Sequence, residues 1–288
     1  MAWAAARWLR PLLAGLALAS ILASWLVTRD QESVGASGQT AAFSYPALPS
    51  AGGCDPGLSV ENGTPLRTAK GVAFTVRTPS NYDPHYAHAL LVVFAPAGTG
   101  RAASERFTGL TGAATRAGFV VAYADHAPLS PSAIRDLGTI PDEVARRWCI
   151  DRHRVFLTGH SDGGTVATAL ALWQETAIPY AGIAPSAAGF TGADLAEYRC
   201  PAPLAVYVAH GAADELFPGF GKQAAVWWAA CNKCDTASPE RHADDCVEYP
   251  RCAAGLRTVY CEHAGRHTTW PARNQALIEF IAASAASS

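Results

Sequence analysis

The chain has 288 residues, with 22 Lys and Arg against 24 Asp and Glu, and a formal net charge of −2 at pH 7. This length is sufficient for one α/β domain of roughly 230–260 residues with a large core. The balanced charge provides no positive field, so we expect no nucleic-acid partner.

The amino terminus has the pattern of an export signal. Arg7 and Arg10 precede an uncharged apolar run at 11–27, which ends before Arg29. This pattern predicts that residues 1–28 are a signal peptide or an N-terminal membrane anchor. The eight cysteines agree with export, because a high and even count is typical of disulfides in an oxidising compartment. We therefore expect a secreted or periplasmic protein, held at the membrane if the segment is not cleaved.

Residues 29–53 are rich in Ser, Ala and Gly and predict a flexible linker, so the folded domain is expected at 54–288. Within it, short apolar runs alternate with stretches that suit helices. The predicted strands are 71–77, 89–95, 119–123, 155–157, 181–184, 204–209 and 256–261. The predicted helices are 104–117, 141–148, 165–173, 222–230 and 274–283. Such alternation predicts an α/β fold with a doubly wound, mostly parallel sheet and helices on both faces.

A Gly-x-Ser-x-Gly motif, 159–163, stands between the apolar run at 155–157 and the helical stretch that starts at 165. The order of strand, sharp turn and helix is that of a nucleophile elbow, which exposes a serine hydroxyl at the edge of a sheet. Ser161 is therefore the candidate nucleophile. The alternative is an ordinary strand-to-helix turn that contains a serine.

An acid and a histidine should follow such a serine, each on a loop after a later strand. Asp214 follows the strand at 204–209, with Glu215 as its neighbouring rival. His267 follows the strand at 256–261 after a turn that contains glycine, and His263 is an alternative closer to the strand end. A serine triad of this kind requires no metal and no organic cofactor.

The negative charge of an acyl-transfer transition state requires two preorganised backbone donors. The amide of Asp162, directly after the nucleophile, is expected to be one of them. The other should come from the loop 96–100. Pro96 has no N–H group, so the donor is either Ala97 or Gly98, and Gly98 is preferred.

Seven segments together resemble the secreted polyhydroxybutyrate depolymerase and feruloyl esterase family, whose members are α/β-hydrolase esterases similar to carbohydrate esterase family 1. The resemblance implies that Ser161 is the nucleophile, Asp214 the acid and His267 the base. The segments that carry it are 77–82, 91–94, 149–156, 159–164, 210–214, Trp228 with Cys231, and 267–271.

The chain departs from that family in two places. Pro96-Ala97 stands where the family usually has His-Gly, and Thr268-Thr269 adds one residue before Trp270. Trp270 and His160 are expected at the substrate site. Aromatic side chains that would suit a phenolic acyl group, or simply fill the core, are Tyr123, Trp227, Trp228 and Trp270.

The cysteines are predicted to be structural. The resemblance implies a disulfide between Cys231 and Cys252, and the sequence leaves the pairing of the other six open. Cys231 and Cys234 form a C-x-x-C pair, so a zinc site with His242 and the cysteines nearby is the alternative.

The sequence thus predicts a secreted serine carboxylesterase that hydrolyses its substrate through an acyl-serine intermediate. Phenolic, acetyl and hydroxyalkanoate esters are the candidate substrates. The alternatives are a non-catalytic exported binding protein on the same scaffold, or an exported peptidase or acyltransferase with the same triad. The oligomeric state is left open.

Overall fold

The computed structural model of the protein describes residues 48–49, 54, 62–242 and 244–285. The predicted export segment, 1–28, lies outside the described residues. So does most of the predicted linker, except for Leu48–Pro49, a short strand (β1) that pairs with Ala87 and Tyr86. Within the described part of the chain, no helix is long and apolar enough to cross a membrane.

The core of the fold is a sheet whose central strands are parallel. Its strands are β2 Pro65–Arg67, β3 Ala73–Arg77, β4 Tyr86–Phe94, β5 Val120–Ala124, β6 Ile150–His160, β7 Gly182–Ser186, β8 Ala205–Gly211, β9 Glu240–Arg241, β10 Cys246–Tyr249 and β11 Thr258–His263. They lie in the order β2-β3-β5-β4-β6-β7-β8-β11-β10-β9. The six central strands, β5, β4, β6, β7, β8 and β11, pair in parallel, and β2, β3, β9 and β10 add antiparallel edges.

Helices cover both faces of this sheet, as the alternation of elements predicts. They are α1 Arg101–Thr108, α2 Leu110–Arg116, α3 Pro131–Leu137, α4 Ile140–Ala145, α5 Asp162–Trp173, α6 Gly192–Ala196, α7 Phe220–Cys231 and α8 Asn274–Ala285. Residues of α3 to α7 pack on one face, against Leu90, Val92 and Leu157. Residues of α2 and α8 pack on the other, against Leu91 and Val93. Neighbouring residues of a strand therefore enter two separate cores, as in a sheet that is buried on both sides.

Two differences from the predicted elements have local causes. The single helix predicted at 104–117 is two helices, because Gly109 ends α1 in the left-handed conformation with φ +60. The helix α3 was not predicted, although Ser130 caps it by accepting a hydrogen bond from the Ala133 amide and Pro131 occupies its first turn.

The predicted pairing of Cys231 with Cys252 is wrong. Cys231 ends α7 and is bonded to Cys200, whereas Cys252 is bonded to Cys234. The other bridges are Cys54–Cys149 and Cys246–Cys261, so all eight cysteines lie in disulfides. The physical reason is the turn after α7, in which Cys231 and Cys234 face different neighbours and join two different bridges.

Candidate active site

The three residues predicted as a triad all follow carboxyl ends of parallel strands. Ser161 comes directly after β6, Asp214 follows β8, and His267 follows β11. Because β6, β7, β8 and β11 are neighbours with the same direction, their carboxyl ends meet at one edge of the sheet. This is where ligands bind in open α/β sheets.

Ser161 lies on a strained turn between β6 and α5. Its φ of 54° and ψ of −118° are unusual for a residue with a side chain. A Cβ atom on Gly159 would lie 2.6 Å from the Phe94 carbonyl oxygen, and one on Gly163 would overlap the same carbonyl. The two glycines therefore allow β4 and α5 to approach each other at the elbow. Ser161 is held at the amino-terminal end of α5, the positive end of the helix dipole.

The side chains of the three residues form a continuous hydrogen-bond chain. The Oγ of Ser161 lies 2.8 Å from Nε2 of His267, and Nδ1 of His267 lies 2.8 Å from Oδ2 of Asp214. These contacts fix the tautomer, since the ionised carboxylate accepts the Nδ1 proton and leaves Nε2 free to take the hydroxyl proton. Nε2 of His267 is therefore placed to accept the hydroxyl proton of Ser161 as the serine oxygen attacks an acyl carbon.

The carboxylate of Asp214 is fully buried and held by its own loop. Its Oδ1 accepts hydrogen bonds from the amides of Leu216 and Phe217, at 3.0 and 2.9 Å. Burial alone would raise the pKa of Asp214, but the hydrogen bonds from Phe217 and His267 outweigh it, and the pKa falls below its usual value. Asp214 is therefore ionised at neutral pH and can stabilise a charged imidazole. Its rival Glu215 is exposed.

His263, the alternative base, is outside this chain of hydrogen bonds. Its Nδ1 accepts the Gly265 amide at 3.1 Å, within the turn that leads to His267. Burial lowers its pKa. The imidazole of His263 thus shapes the turn, whereas that of His267 reaches the serine.

His160, which was predicted at the substrate site, is buried next to the triad, and both of its ring nitrogens are bound to protein groups. It is 2% exposed, its Nε2 donates to the His267 carbonyl oxygen at 2.5 Å, and its Nδ1 accepts the Ser186 hydroxyl at 3.0 Å. Burial lowers the pKa of His160 to about 4, which keeps the ring neutral. The His160 ring therefore supports the site by fixing the backbone of His267.

The two predicted oxyanion donors lie in segments that touch. The Phe94 carbonyl at the end of β4 packs on Gly163 of the elbow, so the loop after β4 starts beside Asp162. However, the Gly98 amide donates to Nδ1 of His126 at 3.3 Å. The Ala97 amide, the other candidate, has no hydrogen-bond partner in the part of the chain that the structure describes. The Ala97 amide is thus the one of the two that is left without a protein partner among the residues that the structure describes, and the identity of the second donor stays a prediction.

Aromatic rings pack against the imidazoles of His160 and His267. Phe107 is 36% exposed, and its ring packs edge-on against His160 and Trp270, with centroids at 5.1 and 6.3 Å. On the other side, the ring of Phe217 packs edge-on against His267, at 4.8 Å. Trp270 is anchored through a hydrogen bond from Nε1 to Asn274. The surroundings of His267, which is hydrogen-bonded to Ser161, are therefore aromatic.

The other aromatic residues singled out from the sequence belong to the core. Tyr123 and Trp228 are almost fully buried, and Trp227 packs partly against the same core as Trp228. Phe107 and His126 are site residues that no motif in the sequence predicts. Each follows or lies within a predicted element, but neither has a motif that marks it, because its contacts are with residues far along the chain.

Comparisons with known proteins agree with this architecture. No protein-family model matches the chain. Feruloyl esterase D of Neurospora crassa is 28% identical over 257 residues, which cover 77% of this chain and 83% of that protein. An acetyl xylan esterase from Aspergillus awamori has a TM-score of 0.56 at 15% identity, over 76% of this chain and 98% of its own. A truncated carbohydrate esterase from gut microbiota has a TM-score of 0.55 at 12% identity, over 84% and 99%.

The two solved structures confirm the predicted α/β-hydrolase fold. The sequence relative supports a feruloyl esterase-like family, as the resemblance implies. The sequence relative is named as an esterase, which favours an ester hydrolase over a non-catalytic binding protein. Four disulfides indicate an extracellular or periplasmic location.

Proposed function

We propose that Ser161, His267 and Asp214 are the catalytic triad of an exported esterase that cleaves esters of aromatic acids. The observation that carries the proposal is the hydrogen-bond chain from Ser161 through His267 to Asp214, with 2.8 Å at both contacts. The aromatic wall made by Phe107, Trp270 and Phe217 supports the acyl class.

In the first half of the reaction, Ser161 Oγ attacks the acyl carbon while His267 Nε2 takes the hydroxyl proton. The carbonyl oxygen becomes an oxyanion, which the amides of Asp162 and Ala97 stabilise. The bond from the acyl carbon to the alcohol oxygen then breaks, and His267 returns the proton to the leaving alcohol. The product of this half is an acyl ester on Ser161.

In the second half, water takes the place of the alcohol. His267 removes a proton from the water as its oxygen attacks the acyl carbon, and the proton then passes to Ser161 Oγ as the acyl–enzyme bond breaks. Asp214 stays ionised throughout and stabilises the protonated imidazole. The acid is released and the enzyme returns to its starting state.

The decisive experiment is the Ser161→Ala variant, assayed on p-nitrophenyl acetate. The expected result is loss of turnover with an unchanged thermal midpoint, and loss of labelling by a fluorophosphonate probe whose adduct maps to Ser161 in the wild type. Ser238→Ala, at an exposed position, is the matched control and should behave as wild type. Wild-type turnover by the Ser161 variant would remove the proposal.

The acyl class is tested separately. We expect a higher kcat/KM on methyl ferulate than on methyl butyrate or on 3-hydroxybutyrate oligomers, because a planar ring can pack against Phe107 and Trp270. A preference for the hydroxybutyrate oligomers would instead favour the polyester-cleaving branch of the resemblance. Turnover of a feruloyl anilide at a rate similar to the ester would indicate a peptidase.

The route of export is also a proposal. We infer that residues 1–28 direct export and are then removed. The intact mass of the exported protein measures this directly, since retention of the segment adds its mass. A retained segment, together with recovery in the membrane fraction, would support the tethered form instead.

A further inference from the structure

One histidine outside the triad joins the two segments that carry the oxyanion donors. His126 lies two residues after β5, at the same edge of the sheet as Ser161. Its Nε2 is 3.0 Å from Oδ2 of Asp162, and its Nδ1 is 3.3 Å from the Gly98 amide nitrogen. A single imidazole therefore spans the gap between the elbow and the loop after β4.

The hydrogen-bond partners of the ring determine its tautomer. The Gly98 amide can only donate, so Nδ1 must accept and carries no proton. Nε2 then carries the ring proton and donates it to the Asp162 carboxylate. Hydrogen bonds to a carboxylate are stronger than those between neutral groups. The side chains of His126 and Asp162 are 16% and 24% exposed, so water competes only partly for this contact.

The backbone beside His126 holds the same loop. The His126 amide donates to the Thr99 carbonyl oxygen at 3.1 Å. The carboxylate of Asp125 accepts from the Arg101 amide at 2.7 Å and binds the Arg101 guanidinium at 2.6 Å. The dipeptide at 125–126 thus fixes the loop from Gly98 to Arg101 at several points, and the imidazole is the part that reaches across to the elbow.

The neighbouring amides of Ala97 and Gly98 differ in their hydrogen bonding. The Gly98 amide is occupied by His126, Pro96 has no N–H group, and the Ala97 amide has no partner within the described residues. Gly98 then serves as the anchor and Ala97 as the donor. An oxyanion hole works only when its donors are fixed before charge develops. The spacing between the Asp162 and Ala97 amides therefore affects the free energy of the transition state.

We propose that His126 is a positioning residue, which sets the spacing between the Asp162 and Ala97 amides by binding Asp162 through Nε2 and Gly98 through Nδ1. The inference rests on the proposed function, since it concerns the oxyanion hole of the same site. His126 touches neither the nucleophile nor the base in this arrangement, so it acts through the residues that it holds.

The test is the kinetics of His126→Ala on methyl ferulate, expressed per active site titrated with a fluorophosphonate. Loss of one oxyanion donor costs about 100- to 1,000-fold in kcat, so a misplaced donor should cost about 10- to 100-fold. KM should change by less than about twofold, because uniform binding is not altered. His153→Ala, at an exposed position on the far end of β6, is the matched control.

A transition-state analogue separates positioning from a general structural role. A trifluoromethyl ketone forms an oxyanion on Ser161, so its Ki should rise by about the factor by which kcat/KM falls. The Ki of ferulic acid, which forms no oxyanion, should stay constant. His126→Gln retains a donor for Asp162 and His126→Asn an acceptor for Gly98, so each is expected to recover part of the loss.

The possible results are distinct. If Ser161→Ala is inactive but all three His126 variants have wild-type kcat and Ki per titrated site, the positioning role is wrong and the triad stands. Equal weakening of ketone and ferulic acid binding would also overturn it, in favour of a structural role. If Ser161→Ala keeps its activity, the proposed function itself fails. Should the alanine variant not fold, the glutamine and asparagine variants decide.

Discussion

Acid should destabilise this protein through His160. The ring is 2% exposed, and it joins the Ser186 hydroxyl to the His267 carbonyl. In the neutral ring Nδ1 accepts from the Ser186 hydroxyl, and protonation of the ring would place a charge in the core. At low pH the folded protein would hold a charged imidazole in its core, whereas unfolding exposes the same imidazole to water.

The size of the effect follows from the change in pKa. Burial lowers the pKa of His160 from its ordinary value of 6.5 to about 4. The unfolded chain thus binds a proton near pH 6.5 that the folded chain does not bind until about pH 4. Between these values the unfolded state holds more protons, so stability falls as pH falls. At about 1.4 kcal/mol for each pH unit, the loss is roughly 3 kcal/mol between pH 7 and pH 4.

The measurement is the free energy of unfolding in urea at several pH values between 7 and 4, with disulfides intact. Other buried histidines, such as His88 and His210, change stability in the same direction because burial lowers their pKa values as well. The comparison with His160→Gln isolates one ring, since glutamine does not titrate and its amide can still donate to the His267 carbonyl. The stability advantage of wild type over this variant should shrink by roughly 3 kcal/mol at pH 4.

If the difference in free energy of unfolding between wild type and His160→Gln stayed constant across the pH range, the reasoning would be refuted, because His160 would then titrate alike in the folded and unfolded states. His153→Gln provides the reference for an exposed ring and should leave the pH dependence of wild type unchanged. The test is independent of catalysis, since it reads only the folding equilibrium.

Three further outcomes are expected. Asp214→Asn should lower kcat about 10⁴-fold with KM little changed, because an amide favours the wrong His267 tautomer; a loss below about tenfold would contradict this. Replacing Cys200 and Cys231 by serine opens a bridge with a sequence separation of 31. The free energy of unfolding in urea should then fall by about 3–4 kcal/mol. A cross-linked Cys231–Cys252 peptide in a digest of the wild type would contradict the pairing. Phe107→Ala should lower kcat/KM for methyl ferulate about tenfold and should lower kcat/KM for methyl acetate much less. Tyr198→Ala is the control, because Tyr198 is as exposed as Phe107.

The hydrogen-bonded group of Ser161, His267 and Asp214, which we propose as the triad, could be located from the sequence because each residue has a local signal. The elbow occupies five consecutive residues, and its glycines are required by the contact with the Phe94 carbonyl. Asp214 and His267 each follow an apolar run that is a strand, and parallel strands bring their carboxyl ends together whatever lies between them. The choice of His267 over His263 needed the resemblance, because both residues follow the same strand.

The disulfides and the supports of the site could not be predicted in the same way. Whether Cys231 meets Cys200 or Cys252 depends on how α7 ends over the sheet, which no spacing in the sequence encodes. His126 and Asp162 are 36 residues apart, and their contact depends on β5 and β6 lying on either side of β4. Such contacts come from the order of strands in the sheet, which the run of elements alone left open.

Besides His263, three further histidines outside the proposed triad support this site, and each does so by a hydrogen bond to a backbone group. His160 holds the carbonyl of His267, His126 accepts the amide of Gly98, and His210 donates through Nε2 to the carbonyl of Phe217 at 2.8 Å. Imidazole suits this task because a neutral ring offers one donor and one acceptor on a rigid plane. For His160 and His210, burial lowers the pKa, so both rings stay neutral at neutral pH, whereas in the proposed mechanism His267 gains and loses a proton. The supports can therefore stay fixed while the charge of the triad changes.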